Sequence, residues 1–305
     1  MNFIIETIGC QMNICESEQL GFVLSTYGMS KVKVMTDADV VILNTCSVRA
    51  QAEQKAFSYL GRVEEVKQQK PSLKIVVIGC MAERLESGIK RRFRSINLVV
   101  GAKDIDNVAL KIMNLCSISS VAKQKKSDNS SEIVRCVTVM KGCDNYCSYC
   151  IVPFVRGREF SLSADKILDE CSLIVKSGVK EIMLLGQNVN SYKYEGLDFT
   201  SLIKKIAGIK DLERIRFMTN HPKDLNDDLI NIMATESKVC SHIHLPMQSA
   251  SNKILKAMNR KYTYEHYLKL IEKLRTAMAD LSVTTDIIVG FPGETESDFQ
   301  DTLRA

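Results

Sequence analysis

No apolar run in the 305-residue chain reaches the roughly 18 residues that would cross a bilayer. The opening MNFIIETIGC also lacks the basic start and long apolar stretch of a secretory leader. These two absences argue against a membrane or export role and lead us to expect a cytoplasmic protein. Net charge is small as well: 41 basic against 36 acidic residues leave +5, which suits a phosphate-bearing partner but is common in proteins that never meet nucleic acid. There is no long internal repeat, and no low-complexity tract outside one polar stretch at 121–130. Nor is there an even cysteine set of the kind a small secreted scaffold carries: the 11 cysteines are odd in number, in a long chain expected in a reducing compartment. Metal or cluster ligation is therefore their better use. What remains is an ordinary globular composition, 45% hydrophobic and 25% charged, enough for one large domain or two medium ones.

Short apolar runs alternate with amphipathic stretches along the first part of the chain. Strands are expected at Asn2 to Glu6, Val40 to Leu43, Ile75 to Ile78 and Asn97 to Val100, with a helix from about Glu16 to Gly28. That rhythm predicts βαβ units and a mostly parallel, Rossmann- or flavodoxin-like sheet in an N-terminal domain over 1–118. Residues 119–131 are polar and read as a linker. A second alternation then opens with a strand at Ile133 to Met140 and a helix at Ala164 to Lys176, with Ser163 as N-cap and Gly178 as stop. Strands follow at Glu181 to Leu185, Arg214 to Met218, His242 to Pro246 and Val283 to Val289, with helices such as Leu202 to Ile206 and Tyr264 to Met278 between them. Five βα units over 132–305 predict a partial (β/α) barrel.

Chemistry concentrates in the cysteines. Cys143, Cys147 and Cys150 form a C-x3-C-x2-C loop just after the first strand of the second domain. Zinc sites usually pair C-x2-C units and close with four ligands, whereas this loop offers three thiolates. Three cysteines on a cubane 4Fe-4S cluster leave one iron open to the amino and carboxylate groups of S-adenosylmethionine (SAM), and the loop resembles the radical SAM signature. A structural zinc site is the alternative. In the first domain, Cys10, Cys46 and Cys80 each follow a predicted strand, and a parallel sheet brings the carboxyl ends of its strands to one edge. The three thiols can converge there, with Gly9 and Gly79 as small neighbours that would let the backbone come close to a bulky cluster. Spacing alone leaves open that they are simply buried small hydrophobes.

A longer series of motifs narrows the choice. It comprises GCQMN at Gly9 to Asn13, NTCSVR at Asn44 to Arg49, IGCMAER at Ile78 to Arg84 and KGCDNYCSYCIVPFVRGRE at Lys141 to Glu159. It continues with LLGQNVNSY at Leu184 to Tyr192, HLPMQSAS at His244 to Ser251, KAMNRKYT at Lys256 to Thr263 and DIIVGFPGETE at Asp286 to Glu296. Throughout its length the chain resembles the radical SAM methylthiotransferases, and among them the MiaB type.

The resemblance implies two 4Fe-4S clusters: an auxiliary one on Cys10, Cys46 and Cys80, and the radical SAM cluster on Cys143, Cys147 and Cys150. It implies methylthiolation of carbon 2 of N(6)-isopentenyladenosine beside the anticodon of tRNA. In such a reaction a radical made from one SAM takes the hydrogen, the auxiliary cluster delivers sulfur and a second SAM supplies the methyl group. The partners implied are a tRNA anticodon stem-loop, an electron donor such as flavodoxin or ferredoxin, and iron-sulfur assembly proteins. By the same resemblance Tyr149 lies near the adenine of SAM, and Gly186, Gln187 and Asn188 stand where the amino group of SAM is held. Gly290 and Glu294 belong to an adenine-side turn, although glycine and proline there also make an ordinary βα turn.

Other residues carry weaker expectations. Arg156 and Arg158 are expected to face RNA or substrate, and the basic run Lys90 to Arg94 to form a solvated face. His242 and His244 are expected to be one core and one cavity residue. Cys15, Cys116, Cys136, Cys171 and Cys240 are expected to be structural. Competing readings are a methylthiotransferase for threonylcarbamoyl-adenosine tRNA or for a ribosomal protein, and a non-catalytic iron-sulfur RNA-binding fragment. Because five βα units stand where the family's (β/α)6 core has six, and nothing corresponds to its TRAM domain, the resemblance also implies a C-terminally truncated chain with impaired turnover on tRNA.

Overall fold

The run VVILNT at Val40–Thr45 carries apolar side chains on both faces of a strand, and a strand of that kind has to be covered on both sides. In the computed structural model, which describes residues 1–118 and 133–305, every residue of this strand is buried. The described residues fall into two units, one of residues 1–118 together with Phe154–Gly157, the other of residues 133–153 and Arg158–Ala305. The linker expected at 119–131 lies outside the described residues.

The first unit is a five-stranded, wholly parallel sheet. Its strands are β1 (Asn2–Ile8), β2 (Ser30–Lys31), β3 (Val40–Thr45), β4 (Lys74–Gly79) and β5 (Leu98–Gly101), in the order β2-β1-β3-β4-β5. Period-two alternation sorts the core. Val40 and Ile42 pack with Leu20 and Leu24 of helix α1 (Gln11–Thr26) on one face. Val41 and Leu43 pack with Leu60 and Val63 of α2 (Ala50–Gln69) and Met81 of α3 (Cys80–Arg92) on the other. In register, Ile8 stands beside Thr45 and Thr45 beside Gly79, so β1, β3 and β4 end level on adjacent strands. Neighbouring strands lie about 4.8 Å apart, and the residues that follow these ends are within reach of each other.

One boundary differs from expectation in a way that matters for the site. Helix α1 opens directly after Cys10 rather than at Glu16, because the side-chain oxygen of Asn13 accepts the backbone N–H of Cys10 at 3.2 Å and caps the first turn.

In the second unit the parallel strands Arg214–Phe217, Glu181–Leu185 and Val134–Thr138 form one sheet, with Glu181–Leu185 in the middle. A further parallel pair joins His242–His244 to Ser282–Thr284, and a bridge from Ile215 to Val239 continues the succession. These five strands alternate with helices around one apolar core that includes Val137, Ile182, Leu184, Ile215, Phe217, Ile243 and Leu274. The first strand stops at Thr138, short of the expected Met140, and Met140–Lys141 instead pairs antiparallel with Phe160–Ser161 to frame the cysteine loop. The third, fourth and fifth strands also end earlier than expected, leaving the motifs at 218–221, 245–251 and 286–294 as loops beyond their carboxyl ends.

Candidate cluster sites

Cys10, Cys46 and Cys80 follow the level ends of β1, β3 and β4, and the backbone there is held by a buried polar network. Asn13 and Asn44 have no exposed surface. The Asn13 amide donates to the Asn44 side-chain oxygen at 2.9 Å and to the Thr45 carbonyl at 3.3 Å, while the Asn44 amide donates to the Asn13 carbonyl at 2.9 Å and to Ser17 at 3.0 Å. The Thr45 hydroxyl reaches across to the Ile78 carbonyl. The two glycines make room for this network. Gly79 sits at a φ of +97°, and a Cβ on it would lie 2.4 Å from the Thr45 carbonyl oxygen and 2.6 Å from the Asn44 side chain. A Cβ on Gly9 would lie 2.4 Å from the Asn13 side-chain oxygen.

The thiols themselves interact. The hydrogen bond with Cys46 brings the Cys10 pKa down to about 6, and the same bond together with burial raises that of Cys46. Burial raises the Cys80 thiol, opposed by the nearby Arg156 guanidinium. The Cys46 sulfur also accepts the Val48 N–H at 3.4 Å. Cys10 and Cys46 thus interact directly, and Cys80 is buried at the same strand edge.

In the second unit the loop from Gly142 to Cys150 is strapped in place by the KAMNRKYT motif. Ser148 donates its N–H to Met258 and its hydroxyl to Ala257, at 3.1 and 3.0 Å. The Asn259 amide donates to the carbonyls of Asn145 and Tyr146 at 3.3 and 2.8 Å. Arg260 donates to the Cys147 sulfur at 3.4 Å and lies 5.1 Å from the ring centroid of Tyr262, whose hydroxyl bonds the Met247 carbonyl at 2.8 Å. Burial pushes the Cys143 thiol up to about 11 and raises Cys150. Sequence reasoning missed Asn259 and Arg260, although their motif was in view.

The residues expected around SAM cluster at the carboxyl ends of the strands. Gly186 packs against Met140, where a Cβ would come within 2.4 Å of the side chain, and Gln187 accepts the Gly142 N–H through its side-chain oxygen. Asn188 is 1% exposed, donates to Asp224 at 2.7 Å, and leaves its own side-chain oxygen without a partner. The Tyr149 ring meets Phe291 edge-on at 6.5 Å, which brings the Gly290 turn beside the cysteine loop. Glu294 closes that turn by accepting the N–H groups of Gly290 and Phe291, and its other carboxylate oxygen is buried and unpartnered. Asn220 and His221 leave buried polar atoms at the same edge. Orphaned buried polar atoms are rare in a finished interior, and Asn188, Asn220, His221 and Glu294 all carry one.

Each cysteine set offers three free thiols, the donor number that a 4Fe-4S cubane takes when one iron is left open. Among the described residues no three His, Cys, Asp or Glu side chains converge tightly enough to share one metal. A cubane asks less convergence, because each thiolate binds a different iron.

Two expectations are corrected. Arg156 does not face solvent: it forms a two-pronged ion pair with Glu16 at 2.6 and 3.2 Å, both side chains only 4% exposed, which removes it from any RNA phosphate. Arg158 is 79% exposed and bonded to Asp144 at 2.8 Å. His242 and His244 do not divide between core and cavity, since both are half-buried and share the Thr284 hydroxyl at 3.2 and 3.0 Å. In the basic run, Lys90 pairs with Glu86 on the surface, but Phe93 is buried and Arg92 lies over Phe57. Of the remaining cysteines, Cys15, Cys136 and Cys171 are buried while Cys116 and Cys240 are half-buried. Among the described residues no helix is long and apolar enough to cross a membrane.

Comparison with known proteins gives these sites a context. Residues 137–305 match the Radical SAM superfamily, and residues 2–101 match a family described as Uncharacterized protein family UPF0004. A tRNA-2-methylthio-N(6)-dimethylallyladenosine synthase from Endomicrobium trichonymphae is 70% identical over the whole chain, which spans 73% of that protein. Its counterpart from Syntrophotalea carbinolica is 43% identical over 99% of the chain and 73% of its own length. The structure of the radical SAM methyltransferase TsrM from Kitasatospora setae, with tryptophan and a SAM analog bound, aligns over 99% of this chain and 70% of its own with a TM-score of 0.70. The cobalamin-dependent radical enzyme OxsB aligns over 99% of this chain and 51% of its own at 0.68. Each of the two is 11% identical, a likeness of fold alone. With identity of this order to the synthases along its full length, the chain belongs to the tRNA-2-methylthio-N(6)-dimethylallyladenosine synthase family of the radical SAM superfamily.

Proposed function

We propose that this protein methylthiolates carbon 2 of N(6)-isopentenyladenosine next to the anticodon of tRNA. In this reading Cys143, Cys147 and Cys150 hold the SAM-binding 4Fe-4S cluster, and Cys10, Cys46 and Cys80 hold the auxiliary one. The observation that carries it is the presence of two independent three-thiol sets, each beyond the carboxyl ends of parallel strands. When bound, the clusters supply an electron to cleave SAM and a sulfur for insertion, chemistry that reaches a carbon no side-chain base could activate.

The chain's own residues have separable tasks. Asn259 and Arg260 fix the loop that presents Cys147, and Gln187 fixes its start at Gly142. Asn188 and Glu294 each offer a buried, unpartnered oxygen that suits the ammonium and adenine amino donors of SAM. Tyr149 with Phe291 offers an apolar wall for the adenine ring. The tRNA base reaches these groups from a single-stranded loop, where it can be splayed out.

The test is anaerobic reconstitution with iron and sulfide, followed by SAM, dithionite and isopentenylated tRNA. The wild-type chain is expected to yield 5'-deoxyadenosine and a 2-methylthio nucleoside in the tRNA digest. Cys147→Ala is expected to yield neither, and Cys46→Ala to yield 5'-deoxyadenosine without the methylthio product. SAM cleavage lost in Cys46→Ala with its other cluster assembled would contradict the division of labour.

A further inference from the structure

A residue that turns the chain into the left-handed backbone region is usually glycine or asparagine, because a larger side chain is crowded there. Tyr146, between Cys143 and Cys147 in the cysteine loop, sits in that region at a φ of +49°. Its side chain does not join the core either, since the residue is 46% exposed. Folding of the loop therefore gives no reason for a tyrosine here. Phe160 raises the same question: it is 55% exposed and stands opposite Lys141 in the antiparallel pair that frames the loop. Asp144 ties that pair to the loop, its carboxylate accepting from the Arg158 guanidinium at 2.8 Å and from the Glu159 N–H at 3.2 Å. Tyr146, Arg158 and Phe160 thus belong to one small frame around the cysteines, and the Arg158 side chain is 79% exposed. Neither ring has an aromatic or cationic partner among the described residues.

We propose that Tyr146 and Phe160 stack on the unpaired bases that flank the target adenosine in the anticodon loop, with Arg158 on a neighbouring phosphate. The inference rests on the tRNA reading above and adds the residues that grip the loop. A base enters a site beside Cys143 to Cys150 only by leaving its stack, and each of its neighbours then loses a stacking face. Exposed aromatic rings at the rim offset that loss, and a cation beside them meets the backbone charge. An acidic protein partner would be met chiefly by charge. Here the exposed arginine has Asp144 next to it, so the unused ring faces are the stronger feature of the frame.

The test titrates the full chain, by fluorescence anisotropy, with an isopentenylated anticodon stem-loop and with the same RNA carrying an abasic nucleotide on one or the other side of the target. The wild type is expected to bind at least one abasic RNA roughly five- to 150-fold more weakly, the range for losing one stacked base. Tyr146→Leu or Phe160→Leu is expected to weaken binding of the intact RNA by a similar factor, with little further loss on the abasic RNA that lacks its base. Tyr146→Phe, which keeps the ring, is expected to bind as the wild type does. Arg158→Gln is expected to weaken all three RNAs alike and to make the salt dependence shallower. Equal affinity of the wild type for intact and abasic RNAs overturns the proposal, and so does an abasic penalty undiminished in both leucine variants. Loss of the iron held by Cys143, Cys147 and Cys150 in both leucine variants overturns it as well, since the rings would then be structural. Unchanged RNA affinity with slower reduction by flavodoxin overturns it and gives the frame to a protein partner. A wild type that binds no stem-loop overturns the tRNA reading too, whereas one that methylthiolates tRNA yet ignores the abasic change leaves that reading standing.

Discussion

Asn13 donates its side-chain amide to the side-chain oxygen of Asn44 at 2.9 Å, and neither residue has any exposed surface. This one bond ties the helix that opens at Cys10 to the strand that ends at Cys46. Replacing Asn13 by Ala leaves Asn44 and the Thr45 carbonyl short of a donor inside the protein, which costs about 1–3 kcal/mol. Urea unfolding is expected to show that loss, and iron bound by the N-terminal cysteines is expected to fall while the Cys143 loop still fills. Unchanged N-terminal iron would show that the thiols are placed by the strands alone.

Gly79 and Gly88 give a paired prediction. Gly79→Ala forces a side chain into a φ of +97° and against the Thr45 carbonyl, so stability is expected to fall by about 1–3 kcal/mol or more. Gly88→Ala, at a half-buried helix position with nothing within 4 Å of the new Cβ, is expected to stabilise by about 0.5–1 kcal/mol. Denaturation midpoints of the two variants should move in opposite directions. Equal movement would mean that the strand ends yield more easily than their packing indicates.

Arg260→Lys keeps the charge but loses the planar fork that touches Cys147, Tyr262 and Pro246 at once. The variant is expected to fold, to keep the N-terminal cluster, and to cleave SAM at least tenfold more slowly, on the order of 1.4 kcal/mol in the barrier. Wild-type 5'-deoxyadenosine formation would remove Arg260 from the strap on the cysteine loop.

His221 predicts a pH dependence. Burial, with Arg260 and Lys223 nearby, brings its pKa from 6.5 down to about 2. The folded protein therefore keeps this ring neutral while the unfolded chain takes up a proton below about 6.5. Between those two values the unfolded state binds more protons, so stability is complete above 6.5 and falls as pH drops towards 2, by up to about 1.4 kcal/mol per pH unit. Stability measured from pH 7 to pH 4 is expected to fall less steeply in His221→Gln than in wild type. Parallel curves would show that the ring protonates equally well in both states.

Much of the architecture is legible in the sequence, for a definite reason. Buried parallel strands such as Val40–Thr45 and Lys74–Gly79 are written as apolar runs, and the cysteines directly follow them. Strand order and register then bring Cys10, Cys46 and Cys80 to one edge. The supports of those thiols were not legible in the same way. Asn13 with Asn44, and Glu16 with Arg156, are partners 31 and 140 positions apart, and no local pattern pairs them. Arg156 was misread because an arginine beside a cysteine loop looks the same in sequence whether it faces a phosphate or a buried carboxylate. The network packed against Gly9 and Gly79 was hidden for a related reason: sequence reveals that a Cβ is missing, but not which neighbour fills the space.

The most direct test of the central claim is the iron and acid-labile sulfide content of three anaerobically reconstituted proteins. They are the wild-type chain, the variant with Cys10, Cys46 and Cys80 changed to Ala, and the variant with Cys143, Cys147 and Cys150 changed to Ala. Two independent cubanes predict about eight irons in the first and about four in each of the others. About four irons in the wild type, or loss of all iron when either set is removed, would contradict the assignment of a separate cluster to each set of cysteines.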